Sequence, residues 1–356
     1  MRDFDWVMFS IMLGISAMGI VQIYSTTINT PFAGSHQKQI LWMAIGITVM
    51  FCFARMNYHT LLNYAPWMYL VTLGLLLALI LVGMEVAGAK RWVRMGGVSF
   101  QVSEFAKLTL ILLLARFFSE QDSRHVSWQE AAKVAVATGV PFLLVAAQPD
   151  LGSALTLIPV AAAVLFLAGF PLRYFALILL AGVLALPVGY HFLKPYQKNR
   201  IETFLNPESD PQNTGYQVMQ SRIAIGSGEI WGKGMGQGTQ TQLRFLPVAH
   251  TDFIFAAFSE EHGFAGVLLT LVLYFALLMR LVRTAETAPD NAGLYIVGGT
   301  AGILLFQILV NVGMVIGYIP VTGIPLPLMS YGGSSVLFTW MAIGLVGSVQ
   351  VRRFVN

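Results

Sequence analysis

Charge is scarce in this chain. Only 11% of its 356 residues are Asp, Glu, Lys or Arg, while 56% are hydrophobic; a soluble domain carries about 25% charged residues. That excludes a globule whose main solvent is water. Long polar stretches are missing too, apart from one after Leu193, so no separate soluble domain is expected. Cysteine is confined to Cys52, between Phe51 and Phe53, which excludes an intrachain disulfide and a cysteine metal cluster. No Ala-x-Ala cleavage site follows the first apolar run, which starts at Trp6, and this run reads as a retained helix. The sequence shows no repeat of fixed period and no low-complexity run. The net charge of +4 belongs to loop lysines and arginines, so nucleic acid is not indicated as a partner.

What the sequence does have is a succession of apolar runs long enough to cross a hydrocarbon core of about 30 Å. Hydropathy places spans near 6–24, 39–54, 63–84, 103–118, 130–147, 152–169, 172–193, 256–282, 293–317 and 332–350. The expected fold is all-α, a polytopic membrane protein of about ten helices. Residues 1–356 form a single membrane domain, with a long loop at 194–250 between the seventh and eighth spans. Alternating the loops puts Arg2, Arg55, Arg116, Arg124, Lys133, Arg173, Arg280, Arg283, Arg352 and Arg353 on one side. The short loops opposite hold only Lys38, Lys90, Arg91 and Arg94. This bias predicts cytoplasmic termini and an outward-facing 194–250 loop.

Ionisable groups inside such runs are costly, so each is a candidate for function. Glu104 and Lys107 lie three residues apart on one helical face, and the acid sits at the end that suits the helix dipole. They are expected to pair, either as a structural strut or as part of a site. Asp150, after Pro149 and before Leu-Gly-Ser, is expected in a short outer turn, where it can cap a helix or line a cavity mouth. Around the start of the eighth span come His250, Asp252, Glu260 and Glu261. Asp252 can be an N-cap, or a carboxylate held near lipid headgroups by Phe253, Phe255 and Phe258. The glycines between Gly226 and Gly238 allow a flexible loop or a backbone nest around an anion. They do not form a Walker loop, because Lys233 is followed by Gly234. The segment Gly323–Ser335 is too rich in Pro and Gly for a regular helix and is expected to line a cavity. A transporter or flippase of a lipid-linked precursor would account for the same spans and charges, as would, less well, a purely structural scaffold.

These motifs resemble those of the SEDS family of membrane glycosyltransferases, its rod-shape branch more than its division branch. The resemblance rests on Ala89-Lys90-Arg91-Trp92, Ser103-Glu104-Phe105-Ala106-Lys107, Ala147-Gln148-Pro149-Asp150-Leu151-Gly152 and Asn206-Pro207-Glu208-Ser209-Asp210-Pro211. It continues through Gln220–Gly228, Phe245-Leu246-Pro247, His250–Phe255 and Pro325–Gly333, nearly the whole chain in order. Met329 and Arg222 are small departures. The resemblance implies a ten-helix peptidoglycan polymerase of the bacterial cytoplasmic membrane that joins lipid II units into a polyprenyl-linked β-1,4 glycan. The implied setting is cell elongation and rod-shape maintenance, beside a class B penicillin-binding protein that cross-links the strands. It implies that Asp252 is the general base. Glu104, Lys107, Asp150, Arg91, Arg200 and Lys233 are the expected substrate-binding or supporting residues. The basic members of that set, or a divalent metal ion, would stabilise the leaving pyrophosphate, and the metal requirement is left open.

Overall fold

The computed structural model describes residues 4–353, except 29, 83, 87–88, 96–97, 122–125, 193–194, 207, 209 and 211–213. Its helices are α1 (Trp6–Thr27), α2 (Ser35–Arg55), α3 (Tyr58–Val82), α4 (Val102–Ser119), α5 (Trp128–Ala147), α6 (Leu151–Leu155) and α7 (Ile158–Leu167). They continue as α8 (Leu172–Phe192), α9 (Pro195–Leu205), α10 (Thr214–Ser227), α11 (Thr239–Gln242), α12 (Ile254–Glu286), α13 (Asn291–Val315) and α14 (Gly333–Val351). Seven of these (α1, α2, α3, α5, α12, α13 and α14) are long and apolar enough to span a membrane by length and composition. The remaining expected spans fall on α4, which carries Glu104, Lys107 and Arg116, and on the shorter apolar stretches Leu151–Leu167 and Leu172–Ala185.

The helices bury different shares of their apolar surface, and this orders the bundle. In α14, 83% of the most apolar window is buried and in α13 61%, against 22% in α2 and α3. α13 and α14 are therefore central, and the outer helices present leucine and tryptophan outward, Trp67, Leu81, Leu179 and Leu184 among them. In water such a surface would drive aggregation, whereas against lipid tails it costs nothing.

Polar ties gather alternate helix ends on one face. Asp5 caps α1 by accepting from Met8 N at 2.9 Å and pairs with Arg280 near the end of α12 at 2.6 Å. Asp290 caps α13 through Gly293 N at 2.7 Å and accepts from Tyr58 OH at the start of α3 at 3.0 Å. Arg352, just past α14, donates to the Arg55 carbonyl at the end of α2 at 2.7 Å. Arg116, near the end of α4, donates to the Asn63 carbonyl at 2.8 Å. The starts of α1, α3 and α13 thus share a face with the ends of α2, α4, α12 and α14, and that face carries Arg116, Arg280 and Arg352.

Several expectations need correction. The segment before α4, expected as a plain loop, folds as a small antiparallel sheet in the order β1 (Met84–Val86), β2 (Ala89–Met95) and β3 (Val98–Gln101), with Trp92 opposite Gln101. The alternation in Val-Ser-Phe-Gln suits a strand, and β3 runs directly into α4. The span expected at 152–169 is broken between α6 and α7, where Pro159 sits in the first turn of α7. The long loop is largely helical, holding α9, α10 and α11. Of the expected irregular segment, 323–332 has no helix, and Gly333–Ser335 already belong to α14.

Candidate active site

Because β3 feeds straight into α4, Glu104 and Lys107 fall on the helix's first turns, at the end opposite the arginines. They form the expected pair, Lys107 Nζ to Glu104 Oε2 at 2.7 Å, with side chains only 1% and 5% exposed. Lys107 also lies over the ring of Phe338 on α14, 4.1 Å from its centroid. Asp150 caps α6 by accepting from Ser153 N at 3.2 Å, as a carboxylate before an apolar run should. It does more than cap. Gln101 Nε2, at the β3–α4 junction, donates to Asp150 Oδ2 at 2.8 Å and to Ser153 Oγ at 3.2 Å. The Asp150 charge also bears on Lys107, so the acid links α6 to the buried pair on α4.

The N-cap position of α12 falls on Phe253, one residue after Asp252. The Asp252 side chain is partly buried and faces the irregular segment after α13. A side chain on Gly323, which has φ of +73°, would begin 3.5 Å from Asp252 Oδ2. One residue earlier, the Thr322 carbonyl lies against α6 so tightly that a Cβ on Gly152 would come within 2.2 Å of it. That contact requires glycine two residues after Asp150. Arg200 on α9 donates from Nη1 to the same Thr322 carbonyl at 3.4 Å. The residues Thr322 and Gly323 therefore touch the elements that carry Asp150, Arg200 and Asp252.

Buried polar side chains hold this irregular backbone in place. Asn311 on α13 donates to the Asp252 carbonyl at 3.0 Å and to the Ile324 carbonyl at 2.8 Å. Ser330 Oγ donates to the Thr251 carbonyl at 2.7 Å and accepts from Leu326 N at 2.8 Å. Gln39 on α2 donates to the Ser330 carbonyl at 3.0 Å, and Tyr274 on α12 donates to the Pro327 carbonyl at 2.6 Å. His250 is buried between the rings of Phe32 and Tyr331, and burial holds its imidazole below the ordinary histidine range. Sequence reasoning missed Gln39, Gln101, Asn311 and Ser330. The available signal was an uncharged polar residue within an apolar run or a Pro/Gly segment, which is too common to single out a site.

Two other expected residues stand apart. Arg91 lies on β2, and its side chain is outside the described set. Lys233 is in the glycine-rich stretch, where it pairs with Glu260 at 2.7 Å. The described donors to the Glu260 carboxylate are the Lys233 side chain and residues 239–241, just beyond the glycines, rather than a backbone nest of the glycine stretch itself. The carboxylate accepts from Thr239 Oγ1 at 3.1 Å, Gln240 N at 3.0 Å and Thr241 Oγ1 at 3.2 Å. The stretch fills a break in α12 at Gly263, whose φ of 64° and ψ of −167° are non-helical. Lys233 N and Gly234 N donate to the carbonyls of Glu260 and Glu261, both at 3.0 Å. In return the carbonyls of Glu229 and Ile230 accept from Phe264 N at 2.9 Å and Ala265 N at 3.0 Å. Every group freed by the break at these positions is paired, as membrane depth demands.

The fold and this cluster define a class, a polytopic all-α membrane protein with acidic and basic side chains converging on irregular backbone at one face. The chain belongs to the SEDS family: residues 5–354 match the family of FtsW, RodA and SpoVE, described as cell cycle proteins. Among relatives, the peptidoglycan glycosyltransferase MrdB of Escherichia coli (strain K12) is 39% identical over 350 residues, covering 98% of this chain and 94% of that protein. A chain from a solved peptidoglycan synthase complex, in which polymerization and crosslinking are coordinated, superposes with a TM-score of 0.85 at 33% identity, covering 99% of both chains. The solved rod shape determining protein RodA of Thermus thermophilus superposes with a TM-score of 0.74 at 31% identity, covering 99% of this chain and 98% of that one. The family resemblance drawn from the motifs is borne out.

Proposed function

We infer that this protein is a peptidoglycan glycosyltransferase that polymerises lipid II on the outer face of a bacterial cytoplasmic membrane, with Asp252 as general base. The observation that carries the reading is that Thr322 and Gly323 lie against Asp252, Arg200 and the helix α6, which Asp150 caps. Its support is the family and the glycosyltransferase relatives.

The chemistry follows from the bond to be made. An α-linked sugar on a pyrophosphate becomes a β-1,4 glycan in one inverting displacement. Glycosidases need an acid because their leaving group is an alcohol. A polyprenyl pyrophosphate leaves as a stabilised anion, so the main requirement is a base on the acceptor 4-hydroxyl, which Asp252 supplies. Arg200 offers positive charge to the leaving phosphates. Lys107 is buried and neutralised by Glu104, and Lys233 is neutralised by Glu260, so each contributes less. Among the described residues no group of three or more His, Cys, Asp or Glu is gathered to hold a metal ion. A divalent metal that took part would come with the substrate's phosphates, where one or two carboxylates are enough.

In this reading the arginine-rich face is cytoplasmic, with both termini there, and the Asp252 face is outside. The product strands are passed to a class B penicillin-binding protein, and the setting is cell elongation. The test is Asp252→Asn, which keeps the side chain's size but cannot take the hydroxyl proton. The purified variant should remain folded and make no glycan from labelled lipid II in detergent, where there is no membrane to cross. Glycan at the wild-type rate would remove the base assignment, and a wild-type protein inert in this assay would favour a flippase.

A further inference from the structure

We propose that Asn311 is a positioning residue that holds Asp252 at its working distance from the Thr322–Gly323 segment; the inference rests on the assignment of Asp252 as base. Asn311 is fully buried in α13, one turn before that helix ends at Val315. Its amide nitrogen donates to two carbonyls that belong to different irregular segments. One is the Asp252 carbonyl at 3.0 Å, just before α12, and the other the Ile324 carbonyl at 2.8 Å, beyond α13. Both acceptors are carbonyls, so the amide must present its nitrogen to them. Its Oδ1 is left buried with no hydrogen-bond partner. With its oxygen orphaned, the polar contacts the side chain makes are its two donated bonds.

The two bonds act as a staple. On one side is the residue whose carboxylate takes the proton. On the other is the residue next to Gly323, which faces that carboxylate, and two from Thr322, which touches α6 and α9. Ser330 and Tyr331 still tie the 250–251 backbone to the later part of the irregular segment, so the loss of Asn311 would loosen the register locally, between Asp252 and Ile324. The acceptor side of the reaction would then lose its register with Arg200 on the leaving-group side. A misplacement of about 1 Å from the reacting geometry can cost about 10²-fold in rate.

The experiment compares Asn311→Leu, Asn311→Ser and Asp252→Asn as purified full chains, measuring thermal stability and the kcat and KM for lipid II polymerisation. Leucine fills the volume without a donor and removes the orphaned acceptor, so folding should be retained. Serine is the second variant should leucine not fit, and its hydroxyl is one bond too short to span both carbonyls. The expected result is a kcat lowered about 10²-fold in either folded variant, with KM nearly unchanged, since the staple orients the base rather than the substrate. Unchanged kcat in a folded Asn311 variant, or a raised KM at unchanged kcat, would overturn the inference alone, provided Asp252→Asn is inactive. An active Asp252→Asn would overturn the base assignment and this inference with it.

Discussion

At the scale of single residues, burial decides what each charge can do. Removing one partner of a buried ion pair costs about 3–5 kcal/mol, but the Glu104–Lys107 pair is not symmetric. Lys107 retains Phe338 at 4.1 Å and the charge of Asp150 when Glu104 is gone. Glu104 has no such second cation in the described contacts. Glu104→Gln should therefore lower thermal stability less than Lys107→Met, and the double variant should recover much of the loss; equal losses in the two single variants would contradict this. His250 gives a pH dependence. Its folded pKa is depressed by burial, so the unfolded chain binds the proton more readily, and stability should fall as pH drops below about 6.5. Melting curves between pH 7.5 and 5.5 should show that slope, and His250→Asn should flatten it. The Glu104–Lys107 spacing was legible in the sequence because three residues on a helix fix a shared face. Asn311 was not legible, because an asparagine within an apolar run reads the same whether it bonds its own helix or reaches across to a loop.

At the scale of elements, the apolar periods gave the helices, while the breaks escaped. His262-Gly263 looked like ordinary helix, since nothing local says that a loop some thirty positions earlier will complete its hydrogen bonds. The break in the sixth span did carry a local signal, Pro159, and was passed over because the apolar run continues through it. The glycine plug makes a sharp prediction. A Cβ on Gly232, at φ of +80°, would lie 2.2 Å from the Glu261 carbonyl oxygen, so Gly232→Ala must push the plug away from α12. A Cβ on Gly236, at φ of +71°, would meet nothing within 4 Å. The first substitution should cost about 1–3 kcal/mol beyond the second, from overpacking in addition to backbone strain. Unfolding midpoints of the two alanine variants decide it, and matched midpoints would show that the plug is not held tightly.

At the scale of the whole molecule, the loop-charge count and the polar ties describe the same two-sided object. Arg116, Arg280 and Arg352 brace helix ends on one face, and Asp252 lies at the far end of α12 from Arg280. With Cys52 replaced, a cysteine at Gln237 should react with a membrane-impermeant thiol reagent in intact spheroplasts, and one at Thr287 only after lysis. The reverse pattern would put the Asp252 face in the cytoplasm. The glycine plug also bears on how the chain is made. Synthesis runs from the N-terminus, so Lys233 and Thr239–Thr241 are translated before Glu260, and Ser25, which donates to Glu261 Oε1, before either. Two adjacent acids would be a poor cargo for insertion on their own. Here each emerges from the ribosome after the partners that will receive it, so the order of translation itself can escort the most polar part of α12 into the bilayer.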